Sequence, residues 1–217
     1  MKAFCTLALL YGLFAAPALA DEAHNLAALK GKLSGQWASI SCELRPTENR
    51  AKPDAAPSST WLRRVFSYDG ADHFDGTISM FADPLCSVPM VDFHFAGDVV
   101  WRGAHPVAAG AMKNDYVLNT AFNITPKAQA FADQMNALPP GTCGAGEWKV
   151  GETKDILGKA CALFNIKAGE TVEDHDLIWV DDTGQWLFMG AKHVTGQGFY
   201  EEALRPPGGF QVPLRKQ

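Results

Sequence analysis

The chain has 217 residues, a formal net charge of −5, 47% hydrophobic and 20% charged residues, a balance that belongs to a globular rather than a disordered chain. Its Lys and Arg residues are scattered and form no basic stripe, so no nucleic acid partner is expected. No stretch reaches the roughly 20 apolar residues that a membrane-spanning helix needs, so no transmembrane segment is expected either.

The N-terminus reads as an export signal. Lys2 precedes an apolar run from Ala3 to Ala16, and Ala18 and Ala20 are the small residues a signal peptidase requires. Residues 1–20 are therefore the expected signal peptide and 21–217 one domain, secreted or periplasmic. Cys5 leaves with the leader, and no cysteine stands at the cleavage point to take a lipid. Cys42, Cys86, Cys143 and Cys161 remain. In an exported protein four cysteines read as two disulfides with three possible connectivities. No two stand in a C-x₂-C relation, so zinc spacing is absent.

Asp21 to Lys32 predicts a short helix or lead-in. Gly35–Cys42, Trp61–Tyr68, His73–Phe81, Met90–Trp101 and Tyr116–Ile124 predict strands, because large apolar and polar residues alternate in them. Thr47 to Ser59, rich in Pro, Ala and Ser, predicts a loop. Thr125 as cap, Pro126 at the first helical position and the stripe Ala128, Phe131, Met135, Leu138 predict a helix, ended by Pro139-Pro140-Gly141. Further strands are predicted over Trp148–Asp155, Ala160–Ile166, Asp176–Val180 and Gln185–Gly190. Asp181 to Gly184 is the turn between the last two. The Pro- and Gly-rich tail cannot stay regular for long. The fold class is mainly β with one helix (α+β): a strongly curled antiparallel sheet, barrel or half-barrel.

Catalytic signals are weak. Asp174-His175-Asp176, Asp72-His73 and Asp92-Phe93-His94 place imidazole near carboxylate but lack a recognised ligand spacing. There is no G-x-S-x-G nucleophile turn. Gly144-Ala145-Gly146 is followed by a predicted strand, not by a helix N-terminus that would hold phosphate. No catalytic residue, metal or cofactor is therefore expected, and the chain reads as a binder rather than an enzyme. Trp37, Trp61, Trp101, Trp148, Trp179 and Trp186 fall on or beside predicted strands. They fill a core or line a cavity, and alternation alone does not separate the two.

Gly35-Gln36-Trp37-Ala38-Ser39 and Cys42-Glu43-Leu44-Arg45-Pro46 form a G-x-W-x-S-x-x-C-E-x-R-P motif. Phe81 to Cys86 with Pro89, Cys143 to Gly151, Cys161, and Gln211-Val212-Pro213-Leu214 follow in order. Together they resemble the adenomatosis polyposis coli down-regulated domain family, here as a single-copy exported member of bacterial type. The resemblance implies a barrel-like domain with an apolar pocket. In the animal relatives, antagonists of Wnt signalling, that pocket is linked to lipid, including the acyl group on Wnt. Expected partners are thus a lipid or other hydrophobic small molecule, or an acylated protein. A cell-envelope enzyme and an interaction module with a filled core are the alternatives.

The residues expected to line the pocket are Phe93, Phe95, Trp101, Tyr116, Leu118, Phe122, Trp179 and Phe188, large apolar groups at alternating strand positions. The expected disulfides are Cys42–Cys86 and Cys143–Cys161. Cys42 closes the first predicted strand and Cys86 follows the third, so both reach one end of a curled sheet, while Cys143 and Cys161 flank a predicted strand and its return.

Overall fold

A computed structural model describes residues 16–47, 58–143, 146–192 and 201–217. Most of the expected signal peptide, nearly all of the predicted Thr47–Ser59 loop, and Gly144-Ala145 lie outside the described residues.

Helix α1 (Ala16–Leu33) is longer than predicted and runs unbroken past position 20. Its Leu26, Leu29 and Leu33 recur at helical spacing and pack on the core. Then come β1 (Gly35–Ser39), β2 (Glu43–Thr47), β3 (Ser58–Tyr68), β4 (His73–Phe81), β5 (Pro89–Ala104) and β6 (Met112–Pro126). Helix α2 (Gln129–Asn136), β7 (Lys154–Asp155), β8 (Val172–Val180), β9 (Trp186–Met189) and β10 (Leu214–Lys216) complete the order.

The strands close on themselves. β1 pairs with β3 on one side (Trp37↔Phe66) and with β10 on the other (Trp37↔Lys216). From β3 the antiparallel ladder continues through β4, β5, β6, β8 and β9 and back to β10. Eight strands thus form a ring, which leaves no free edge along those pairs. β2 extends the sheet along β3 (Leu44↔Trp61) and β7 adds two residues to β6. A ring of this size has an interior just wide enough for side chains or for one small ligand.

Two glycines shape the ring. At Gly97 the β5–β6 register shifts, and a Cβ there would lie 1.9 Å from the Val117 carbonyl oxygen. Only glycine allows that close approach at a bulge. At Gly76 a Cβ would meet the rings of Phe95 and Phe66 at 2.7 and 2.8 Å, so its absence makes room for the aromatics.

α1 covers one end of the barrel. Lys30 pairs with Asp72 in the β3–β4 turn at 2.5 Å, and Lys32 faces Asp182 in the β8–β9 turn. Toward the other end, the segment between β6 and β8 packs Phe131, Ala132, Met135, Trp148, Ile156 and Ile166 into the same core. Both expected disulfides are present, Cys42–Cys86 and Cys143–Cys161.

Several predicted elements differ. Thr125 and Pro126 do not start a helix; they end β6, opposite Asp92 and Val91. The next two backbone N–H groups, Lys127 and Ala128, donate to the Met90 carbonyl, which delays α2 to Gln129 without a side-chain cap. Of Trp148–Asp155 only Lys154–Asp155 is strand. Ala160–Ile166 makes bridges at Cys161 to Cys143 and Ile166 instead of a strand. Its alternation reflects side chains that plug the barrel end rather than a ladder. β8 begins at Val172, not Asp176, so Asp174-His175-Asp176 lies within a strand. Among its described residues the tail forms a 3₁₀ turn over Glu202–Leu204 and the short strand β10, which closes the ring.

Candidate functional site

The barrel interior has an aromatic part and a charged part. Inward positions of β3, β4, β5 and β6 bring together Phe66, Phe74, Phe95 and Tyr116, with Phe66–Phe95 centroids 5.9 Å apart and Phe74–Tyr116 at 4.7 Å, edge-on. The hydroxyls of Tyr68 and Tyr116 share a hydrogen bond of 2.6 Å. Burial raises the pKa of both phenols above the ordinary tyrosine value.

Beside this wall lies a set of buried ionic groups. Arg64 donates to both oxygens of Glu43, at 3.0 and 2.8 Å, and to the Val212 carbonyl. Lys192 lies 2.6 Å from Asp174 and 2.9 Å from Asp176. Burial works against the Lys192 ammonium, but Asp174 and Asp176 outweigh it and raise its pKa. Asp174 is pushed up to about 6 by burial, which the nearby Lys192 offsets only in part. Burial, then repulsion from Arg64, lowers Arg45 to about 10. Arg45 donates to Gln211, whose amide donates to the Gly190 carbonyl.

Two groups of this interior carry buried atoms without a hydrogen bond among the described residues: Asp176 Oδ2, which Lys192 Nζ approaches to 2.9 Å, and the whole carboxamide of Asn114. Asn114 sits on β6 between Met112 and Tyr116, opposite Asp176 of β8, and is fully buried. Neither its Oδ1 nor its Nδ2 has a hydrogen-bond partner among the described residues. Such orphaned buried atoms are rare in folded proteins.

A second ionic cluster lies on the opposite face of β6 and β8. Asp115 Oδ1 is 2.7 Å from His175 Nδ1 and accepts from Arg205 at 2.6 Å, while Oδ2 accepts from Arg102. These hydrogen bonds outweigh burial and hold the Asp115 carboxyl below the usual carboxylate range. Arg205 also donates to the Asn114 and Asp176 carbonyls and pairs with Glu202, strapping the tail onto the barrel. Ligand atoms of Asp115, Glu173 and His175 lie within 4.8 Å of one another. Two guanidinium groups already occupy Asp115, so this donor set forms an ion-pair latch and does not suit a cation.

The structure separates the eight residues singled out in the sequence. Phe95 and Tyr116 belong to the aromatic wall. Phe93 and Phe122 both face Phe164, at 5.4 and 5.2 Å, under the segment that closes one end. Leu118 is buried opposite Val172. Trp101 stands at the α1 end, where its Nε1 donates to Asp72 and Lys30 lies over its ring. Trp179 and Phe188 are elsewhere: their inward neighbours are Ile178, Val180, Leu187 and Met189, while they themselves stack with Phe210 outside. Sequence reading missed the polar lining. Its signal was present, since Asn114, Asp174 and Asp176 occupy the same alternating positions as apolar neighbours that face inward.

A closed eight-stranded ring, stapled by two disulfides and lined by aromatic and ionic side chains, defines a small antiparallel barrel protein. The family model described as Adenomatosis polyposis coli down-regulated 1 matches residues 15–175. The chain belongs to that family. The match takes in all four paired cysteines and ends within β8, so the Gln211–Leu214 segment lies beyond it. Among the described residues no helix is long and apolar enough to cross a membrane.

Proposed function

We propose that this protein is an exported binder that holds the acyl chain of a lipid, or of an acylated protein, inside its barrel. The aromatic wall of Phe66, Phe74, Phe95 and Tyr116 within an eight-stranded ring is the observation that carries the reading. Each methylene buried against such a wall contributes about 0.8 kcal/mol, so a chain of about a dozen overcomes its ordering cost. The paired disulfides support export, because such bonds persist in oxidising compartments. Binding rather than catalysis is supported by the ionic groups, which are engaged with one another: Glu43 holds Arg64, and Asp174 and Asp176 hold Lys192.

Native mass spectrometry of protein from its own host tests this directly, with a co-purifying acyl compound expected. Leu118→Gln supplies a second test. In a ligand-bearing interior the variant stays folded and binds a fluorescent fatty acid more weakly. In a filled core it buries an unsatisfied amide and loses about 1–3 kcal/mol of stability. Wild-type protein that arrives empty and ignores the fatty acid is an interaction module instead. The near-complete burial of Trp37, Phe66 and Tyr68 is what favours that second reading.

A further inference from the structure

Asn114 has a carboxamide that is fully buried and has neither its donor nor its acceptor engaged. Both ends of this one amide lack a partner among the described residues. Ring geometry places it: Met112, Tyr116 and Leu118, its neighbours at alternate positions of β6, all join the core, so the Asn114 side chain also points inward. It stands opposite Trp101 on β5 and Asp176 on β8, one inward position from Tyr116 of the aromatic wall.

The surroundings restrict what could satisfy it. An anion would approach the carboxylates of Asp176, opposite Asn114, and of Asp174, opposite Tyr116. A cation would find those carboxylates already held by Lys192. Tyr68 and Tyr116 share one hydrogen bond, which leaves a single phenol hydrogen of the pair for an acceptor and no charge to meet an ion. What remains is an uncharged group. To engage Oδ1 and Nδ2 together it must present a donor and an acceptor along one edge. A primary carboxamide and an undissociated carboxylic acid both do so; an ester offers acceptors only.

We infer that Asn114 seats the polar end of the ligand, and that this end is a neutral head with a donor and an acceptor side by side on a long acyl chain. The acyl chain then runs from Asn114 onto the aromatic wall. This rests on the reading that the barrel holds an acyl chain, and it adds which head that chain carries.

The experiment is competition against a bound fluorescent fatty acid by two probes of equal chain length, a hexadecanoyl primary amide and the corresponding methyl ester. Wild-type protein is expected to prefer the amide at least tenfold. In Asn114→Leu, which removes both orphaned atoms at similar volume, that preference falls to within about twofold. The free acid, titrated at acidic and alkaline pH, separates the two sources: stronger competition at acidic pH identifies the undissociated acid as a natural head, and equal competition leaves the amide. If wild-type protein binds amide and ester equally, the seat at Asn114 is wrong while the acyl reading stands. If neither probe competes and the fluorescent acid itself does not bind, both fall. The wild-type ratio does not depend on whether the variant folds.

Discussion

From Val91↔Pro126 to Ala104↔Met112, β5 and β6 hold their inward side chains with a long ladder of backbone pairs. The described residues between Pro126 and Val172 bury Phe131, Trp148, Ile156 and Ile166 with an eight-residue helix, a two-residue strand and a few bridges. In the ring, backbone hydrogen bonds fix where each side chain points. In the plugging segment the order is reversed: aromatic contacts and the Cys143–Cys161 bond fix the side chains, and the backbone follows through turns. Asn136, for example, exchanges hydrogen bonds through its side chain with both backbone groups of Trp148. The ring should therefore survive insults that loosen the plug, unless the contact between them is itself removed.

Phe131→Ala removes that contact and has the largest expected effect. The Phe131 ring lies edge-on to Phe93 of β5 at 6.3 Å and is buried on the inner face of α2. Truncation leaves a cavity at the joint and costs about 3–5 kcal/mol. Urea or thermal unfolding reads it, and a midpoint within a degree or two of wild type would mean that plug and ring are not coupled at this point.

Replacing Cys143 and Cys161 together by Ser is smaller and more local. The bond closes a loop of sequence separation 18, which corresponds to about 3 kcal/mol on chain-entropy grounds. Hydrogen exchange should show lost protection at Trp148–Ile166 while β5–β6 amides stay protected. Equal loss in both regions would show one cooperative unit instead of two.

The same contrast explains what was legible in the sequence. The predicted strand His73–Phe81 coincides with β4, and the predicted Met90–Trp101 and Tyr116–Ile124 sit within β5 and β6, because ladder-held strands show strict alternation. Trp148–Asp155 and Ala160–Ile166 show similar apolar spacing, but their buried groups answer to Phe93 and Phe122 rather than to a partner strand. Thr125-Pro126 carries a helix-start signal that the pairing with β5 overrides. Alternation does place Phe95 and Tyr116 on the face that forms the aromatic wall. Trp179 and Phe188 share that alternation but face outward, since period 2 does not say which face is inside. Asp174-His175-Asp176 carries a weak imidazole–carboxylate signal in the sequence, but Asp174 and Asp176 pair with Lys192, 16 or more positions away, and no local pattern announces that pairing.

The ionic groups on the two faces of the barrel respond to pH in opposite directions. Inside, Asp174 is raised from 3.8 to about 6, first by burial, with Lys192 opposing and Asp176 adding to the shift. Between those values the native state keeps a proton that the unfolded chain has released. The Asp174 contribution to stability is therefore full below about pH 4 and declines as pH rises to about 6. Outside, the carboxyls of Asp115 and Glu202 are lowered, Asp115 because hydrogen bonds from His175, Arg102 and Arg205 outweigh burial, Glu202 chiefly through Arg205. Their contribution has the opposite sign: it is present at neutral pH and lost as pH falls through the acid range. Asp174→Asn removes only the inner effect. Urea midpoints measured at intervals from about pH 4 to pH 7 should show the variant gaining on wild type through the window from 4 to 6, then holding a constant gap. The acid-side loss from Asp115 and Glu202 should remain in both proteins. A gap that does not change across that window would mean Asp174 titrates as a solvated carboxyl does, and the inner and outer clusters would then share one electrostatic character.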